Sequence, residues 1–332
     1  MSKRILVTGA TGFLGGGVAR RLLAEGHDVL GTGRNLVKGN ELKADGVEFQ
    51  AADLSDAPSV RRLCKDRDII IHSAALSSPW GRLEDFKTAN VDATRNILDA
   101  VKECGAERLV HISSPSVYCS DEDQFNIPED HPFTTAPLNY YIQSKIEAEE
   151  LVASSEIPHI ILRPRGIFGP GDPSIFPRLI DRMAKKKLPI VGRGNNVVDI
   201  TYIDNVVHAT CLAALTENRD ALGGIYNITN GESVELWKFI NELADKLELP
   251  RPTRHLPYWF LYGAGFILEG IHRLFLPEKE PRITRYGVVV LGRSTTLSIE
   301  KAKEELGYEP IVGVWEGLNR YVEWRGTQQF NE

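Results

Sequence analysis

The sequence predicts an α/β protein, a doubly wound parallel sheet followed by a smaller, mainly helical C-terminal part. Three observations carry this. Short β-branched runs alternate with helically spaced stretches through the first half of the chain, and a glycine-rich turn joins the first run to the first helix. After Pro164 the texture turns loop-rich, then irregular and helical.

Residues 4–7 are a β-branched-rich run ending at Thr8 and Gly9, the mark of a buried parallel strand. Val18, Leu22 and Leu23 space the helix that follows, and Gly26 closes it. A strand over 28–32 comes next. The alternation continues with strands near 47–51, 68–72 and 108–113 and helices over 57–65 and 90–103. Beyond a polar loop, 120–137, a helix is expected over 141–154 and a strand over 160–163. Residues 165–173 read as loop, 176–187 as a helix with a basic end and 199–203 as a strand. This divides the chain into residues 1–165 and 166–332, with 198–228 returning to the first part. The apolar stretch 256–268 is broken by Glu269. It falls short of the roughly 20 apolar residues that span a bilayer, and is expected as a buried or interfacial helix.

Composition narrows the function classes. At 332 residues, 42% hydrophobic and 25% charged, the chain can bury a full core without disulfide or metal staples. Its net charge of −6 lacks the basic surplus that nonspecific nucleic-acid binding draws on. Cys64, Cys104, Cys119 and Cys211 are scattered with no paired spacing and no histidine cluster, which speaks against a metal site and suits a reducing cytosol. The first residues lack the long apolar core of a signal peptide, so a cytoplasmic protein is expected.

Chemistry enters at the first turn. Gly9, Thr11, Gly12, Phe13, Leu14 and Gly15 lie between strand and helix in a G-x-x-G-x-x-G pattern. Gly9 permits the turn, Gly12 lets backbone approach a pyrophosphate, and Gly15 lets the helix lie close to the sheet. The helix N-terminus adds unpaired N–H groups and partial positive charge. The same turn without a ligand is the plainer alternative.

With Thr8 before it, this loop resembles the extended short-chain dehydrogenase/reductase family, whose sheet is of the Rossmann type. The resemblance extends along nearly the whole chain: Asp53 and Leu54, then His72 to Ala75, Asn90 to Leu98, Ser113 to Tyr118, Tyr141 to Lys145, Arg163 to Asp172, and Leu306 to Pro310. The aromatic stretch 257–275 is most similar to the 3β-hydroxysteroid dehydrogenase branch. The resemblance implies a nicotinamide dinucleotide contacted by the glycine loop, Asp53, Leu54, Ala74, Ala75, Pro164 and Ile167.

An acidic residue closing the second strand selects NAD in such folds. Here that position falls on Gly33, with Arg34 following and Lys38 nearby. A glycine leaves room for a 2′-phosphate that Arg34 can pair with, so NADP is expected, with NAD as the alternative if Arg34 only stacks on adenine. Asp53 hydrogen-bonds the adenine amino group or, equally plainly, caps a helix.

Tyr141 and Lys145 stand one helical turn apart on one face. An ammonium beside a phenol favours the phenolate and is expected to lower its pKa. The third group is Ser114 by its position in the family's Ser-Ser-x-x-Val-Tyr pattern, with Ser113 and Ser116 as alternatives; it would stabilise the substrate oxygen. Where that pattern continues with glycine, Cys119 stands here, and no neighbouring base makes it a nucleophile.

On the substrate side, Ser77, Trp80, Ser116, Tyr258, Trp259 and Tyr262 would line an apolar pocket. The same aromatics could equally be core, or touch a membrane surface as a peripheral helix. The expectation is an NADP-dependent oxidoreductase acting on a hydrophobic small-molecule alcohol or ketone, steroid-like or a β-keto compound. The alternatives are a nucleotide-sugar epimerase, dehydratase or reductase, for which Arg178, Arg182 and Arg193 could hold a diphosphate, and a non-catalytic redox sensor. The resemblance also implies a homodimer built on the helices at 90–103 and 141–154.

Overall fold

The computed structural model describes residues 2–329. Its centre is a parallel sheet of β1 (Arg4–Thr8), β2 (Asp28–Gly33), β3 (Glu48–Ala51), β4 (Ile69–His72), β5 (Arg108–Ile112), β6 (His159–Pro164) and β7 (Ile225–Ile228), in the order β7-β6-β5-β4-β1-β2-β3. The alternation of β1 explains the double winding. Ile5 and Val7 enter one core with Val18 and Leu22, whereas Leu6 enters the opposite core with Val60, Leu63 and Ile97. The chain departs from β1 in both directions, to β2 and to β4, so a crevice opens at their carboxyl ends.

Three helices frame that crevice: α1 (Phe13–Ala24), α2 (Ala93–Cys104) and α3 (Tyr140–Ala153). The helix expected from residue 90 begins instead with a π-helical turn, Lys87–Asp92, before α2. Asn139 caps α3, its Oδ1 accepting the Ile142 N–H at 2.9 Å. The far end of α3 is bound to the sheet. Arg163 of β6 and Glu149 of α3 are almost wholly buried. The Arg163 Nε lies 3.1 and 3.2 Å from the two Glu149 oxygens, its Nη2 donates to Oε1, and Ser113 donates to Oε2. Arg163 Nη1 also donates to the Glu129 carbonyl at 3.0 Å and to the Tyr118 hydroxyl.

Two expectations change. Of the strand expected at 199–203 only Thr201–Tyr202 is extended, paired with Ile167–Phe168, and a helix starts at Ile203. The apolar stretch becomes helix α4 (Tyr258–Phe275), which is not buried. Its fully buried residues are Leu261, Gly265 and Glu269, four residues apart, on the side packed against α5 (Arg285–Gly292). A Cβ on Gly265 would stand 3.0 Å from the Arg285 nitrogen, and Glu269 accepts the Arg285 N–H and Nε at 2.6 and 2.8 Å. So narrow a seam leaves Trp259, Phe260, Phe266, Ile267, Leu274 and Phe275 exposed. Among the described residues no helix is long and apolar enough to cross a membrane.

Replacing Arg163 by Met leaves Glu149 buried without its cation, and is expected to cost about 3–5 kcal/mol of stability. Denaturant unfolding checks this; a loss below about 1 kcal/mol would show that the pair does not hold α3.

Candidate active site

The β1–α1 turn is shaped by backbone contact. Gly9 has φ +67°, and a Cβ there would stand 2.7 Å from the Ala74 nitrogen; one on Gly15 would stand 2.4 Å from the Gly9 carbonyl oxygen. Side chains are thus excluded where α1 leans on the strand. Gly12, the cap residue of α1, supplies no side-chain acceptor, and the first turn carries no acidic residue. The N–H groups of Phe13, Leu14 and Gly15 are left to an external anion. These residues fit a dinucleotide pyrophosphate. Thr8 ties the crevice walls together: its Oγ1 meets His72 Nδ1 at 2.9 Å and accepts the Ala74 N–H at 3.2 Å. Burial, helped by Lys145, pushes the His72 pKa down to about 3, so that ring stays neutral. Ala75, next to Ala74, is exposed beside this wall.

At the far end of the crevice β2 closes on Gly33, where a Cβ would stand 2.4 Å from Thr11 Oγ1. No acidic side chain fits there unless Thr11 moves. Arg34 and Lys38 are exposed, and neither forms an ion pair. Asp53 Oδ1 accepts the Ser55 N–H and hydroxyl at 2.9 and 2.8 Å, which with Arg34 holds its carboxyl below the ordinary range. The N-cap position of the following helix belongs to Asp56, so Asp53 does not cap it. Leu54 is half-buried, packed against the second core.

Tyr141, Lys145 and Glu149 occupy successive turns of α3. Burial raises the Tyr141 pKa above the ordinary value, and the nearby Ser114 and Ser77 hydroxyls draw it partly back. This departs from the expected lowering by Lys145. The lysine is itself buried and donates to the Ile112 carbonyl at 2.6 Å, while burial lowers its pKa to about 8 against the opposing pull of Glu149. Tyr141 is therefore a neutral phenol at neutral pH. Ser114 Oγ accepts the Ser116 N–H at 3.2 Å, leaving its own proton to donate. Ser113 is committed to Glu149, and the buried Ser116 hydroxyl has no partner.

A cavity of about 90 Å³ adjoins this group, lined in part by Ser114, Ser116, Cys119, Pro164, Arg165 and Tyr286. Burial pushes the Cys119 thiol up to about 11, so it remains protonated. A second cavity of about 270 Å³ lies between Trp80, the start of α3 and Arg273 near the end of α4. Trp80 Nε1 donates to the Pro277 carbonyl at 2.9 Å, joining this loop to the end of α4. The other aromatic candidates lie elsewhere. Tyr258 and Tyr262 stack at 5.7 Å and pack on the core, with Arg293 4.0 Å over Tyr258, and Trp259 is 75% exposed. Ile167 is half-buried in its short strand pairing.

Three residues of the site escape the sequence reading. Asn90, in the π turn, accepts the Leu76 N–H at 2.6 Å and donates to the Leu76 carbonyl and the Ser144 hydroxyl at 3.2 and 2.9 Å, so it positions the loop that carries Ser77. It stands within a segment that carries the family resemblance. Arg165 sits in another such segment, but nothing there separates it from Arg163. Tyr286 had no local signal at all.

Comparison with known proteins follows this geometry. A 2-alkyl-3-oxoalkanoate reductase of Shewanella oneidensis is 35% identical over 327 residues, covering 95% of this chain and 84% of that protein. A sterol-4-alpha-carboxylate 3-dehydrogenase, decarboxylating, of Mus musculus is 32% identical, covering 97% and 91%. Among solved structures, MoeE5 in complex with UDP-glucuronic acid and NAD matches with a TM-score of 0.74 at 27% identity, covering 98% and 99%. The family model for the NAD-dependent epimerase/dehydratase family matches residues 5–229. The chain belongs to that family.

Proposed function

We propose that the protein is an NADP-dependent oxidoreductase of the extended short-chain dehydrogenase/reductase type, interconverting a secondary alcohol and a ketone on a hydrophobic substrate. The observation that carries this is a neutral Tyr141 phenol near Ser77 and near Ser114, which lines a small cavity, together with an uncapped helix N-terminus that fits an anion. A bound nicotinamide cofactor supplies the hydride chemistry. In the reductive direction Tyr141 gives its proton to the carbonyl oxygen, and Ser114 donates a hydrogen bond to that oxygen as charge develops. The Lys145 ammonium then stabilises the phenolate left on Tyr141, an interaction gained along the reaction path rather than in the resting site. Asn90 and the Glu149–Arg163 pair hold these groups in place.

The two curated relatives support the substrate class, because both names describe oxidoreduction at position 3 of a molecule that also carries a carboxylate. The nucleotide-sugar reading has less support. Arg178 is paired with Glu280 at 3.2 Å and Arg182 donates to the Arg282 carbonyl at 3.4 Å, so two of the three arginines that might hold a diphosphate are engaged. The NADP preference rests on the exposed, unpaired Arg34 beside Gly33.

Tyr141→Phe is expected to lower kcat by on the order of 10²–10⁴-fold while the Kd for NADPH changes less than about twofold; fluorescence titration and steady-state rates check both. Arg34→Leu is expected to reduce the NADPH-over-NADH ratio of kcat/KM about 10–100-fold, the loss of a charge-assisted contact. A wild-type preference for NADH would contradict the assignment. Lys145 is an ammonium below its pKa of about 8 and loses that charge above it. Reductive kcat/KM should accordingly stay level at lower pH and fall as pH rises through about 8. A profile that stays flat well above that value would remove the ammonium from the mechanism.

A further inference from the structure

We propose that Arg165 anchors a substrate carboxylate, so that the natural substrate is a 3-hydroxy or 3-oxo acid with its carboxylate next to the reacting centre. This rests on the oxidoreductase reading and deepens it.

Two arginines flank Pro164 at the end of β6. Arg163 is saturated by Glu149, Tyr118 and the Glu129 carbonyl. Arg165 is the opposite case. Among the described residues its guanidinium makes no hydrogen bond and no ion pair, and its Nε is enclosed without a partner. Enclosed N–H groups are almost always satisfied, and those of a cation carry the larger desolvation cost. The nearest carboxylate cannot supply the lack. Asp199 is taken by the Ser233 hydroxyl at 2.6 Å and the Leu297 N–H at 2.6 Å, and it forms no ion pair with Arg165. Cys119 and Tyr286, the other titratable groups close to it, are both held neutral by burial. The cavity therefore presents a guanidinium that feels the charge of Asp199 but, among the described residues, has no anion in direct contact.

The same cavity contains Ser114. It is a cavity of about 90 Å³ that Ser114 and Arg165 line together. One substrate can therefore set an oxygen against Ser114 and an anion against Arg165 within the same cavity. A carboxylate matches the guanidinium fork bidentately, and a 3-oxygenated acid places the two groups one carbon apart. The apolar remainder of the substrate would leave this small cavity towards solvent.

The test compares 3-hydroxydecanoic acid with its methyl ester as NADP+-linked substrates of wild type and of Arg165→Met and Arg165→Lys. Wild type is expected to favour the acid in kcat/KM by about 10–100-fold, the effect of a charged hydrogen bond. Arg165→Met should lose that preference, its kcat/KM falling about 10-fold or more further on the acid than on the ester, and Arg165→Lys should recover part of it. Equal losses on acid and ester in Arg165→Met, or a wild type that turns over the ester with no preference for the acid, would overturn the anchor. Calorimetric binding of the acid gives a readout without turnover. Binding lost in Arg165→Met, with unchanged melting temperature and NADPH affinity, upholds the anchor, and binding unchanged overturns it. Acid binding that depends on Arg165 with no hydride transfer would uphold the anchor and overturn the oxidoreductase reading instead.

Discussion

The buried pair between Arg163 and Glu149 is the constraint on which the site depends. Two opposite charges removed from water are tolerated only when nearly every donor and acceptor is used, and here they are, by each other, by Ser113, by Tyr118 and by the Glu129 carbonyl. Because Glu149 lies two turns beyond Tyr141 on one helix face, rotating or sliding α3 would break that pair first. Lys145 on the intervening turn adds a third tie through the Ile112 carbonyl. The phenol is aimed at the crevice because the carboxylate eight residues later cannot move.

Labour is divided along the crevice. The β1–α1 side acts through backbone: glycines let α1 lean on the strand, and its uncapped N-terminus faces outward as an anion site. The α3 side acts through side chains whose proton affinities are set by burial. Burial makes a phenol harder to ionise and an ammonium easier to lose, so the pair is poised with the proton on the tyrosine. Tyr286 of α5, from the second part of the chain, meets Arg165 and Ser114 around the small cavity.

What could be read from the sequence was local. The glycine turn, the alternation of strands and helices, and the one-turn spacing of Tyr141 and Lys145 all follow from residues close together in the chain. What could not be read was tertiary. The sequence shows an ammonium near a phenol, but not that both are buried, and burial decides the sign of the Tyr141 shift. It shows two arginines around Pro164, but not that one is saturated and the other open. Aromatics in α4 suggest a pocket wall, yet Tyr258 and Tyr262 pack on the core and Trp259 faces solvent. Tyr286 reaches the site from more than a hundred residues downstream, where no local pattern announces it.

The central claim is net hydride exchange with a substrate carbon rather than a transient oxidation closed within one turnover. Isotope transfer from NADPH carrying deuterium at nicotinamide C4 tests it most directly, with a β-keto acid or ketone as acceptor and mass spectrometry of the alcohol formed. The account predicts one deuterium at the new carbinol carbon, derived from one face of the nicotinamide. A protein that holds its dinucleotide tightly, releases no oxidised cofactor and returns an isomerised sugar nucleotide would contradict it.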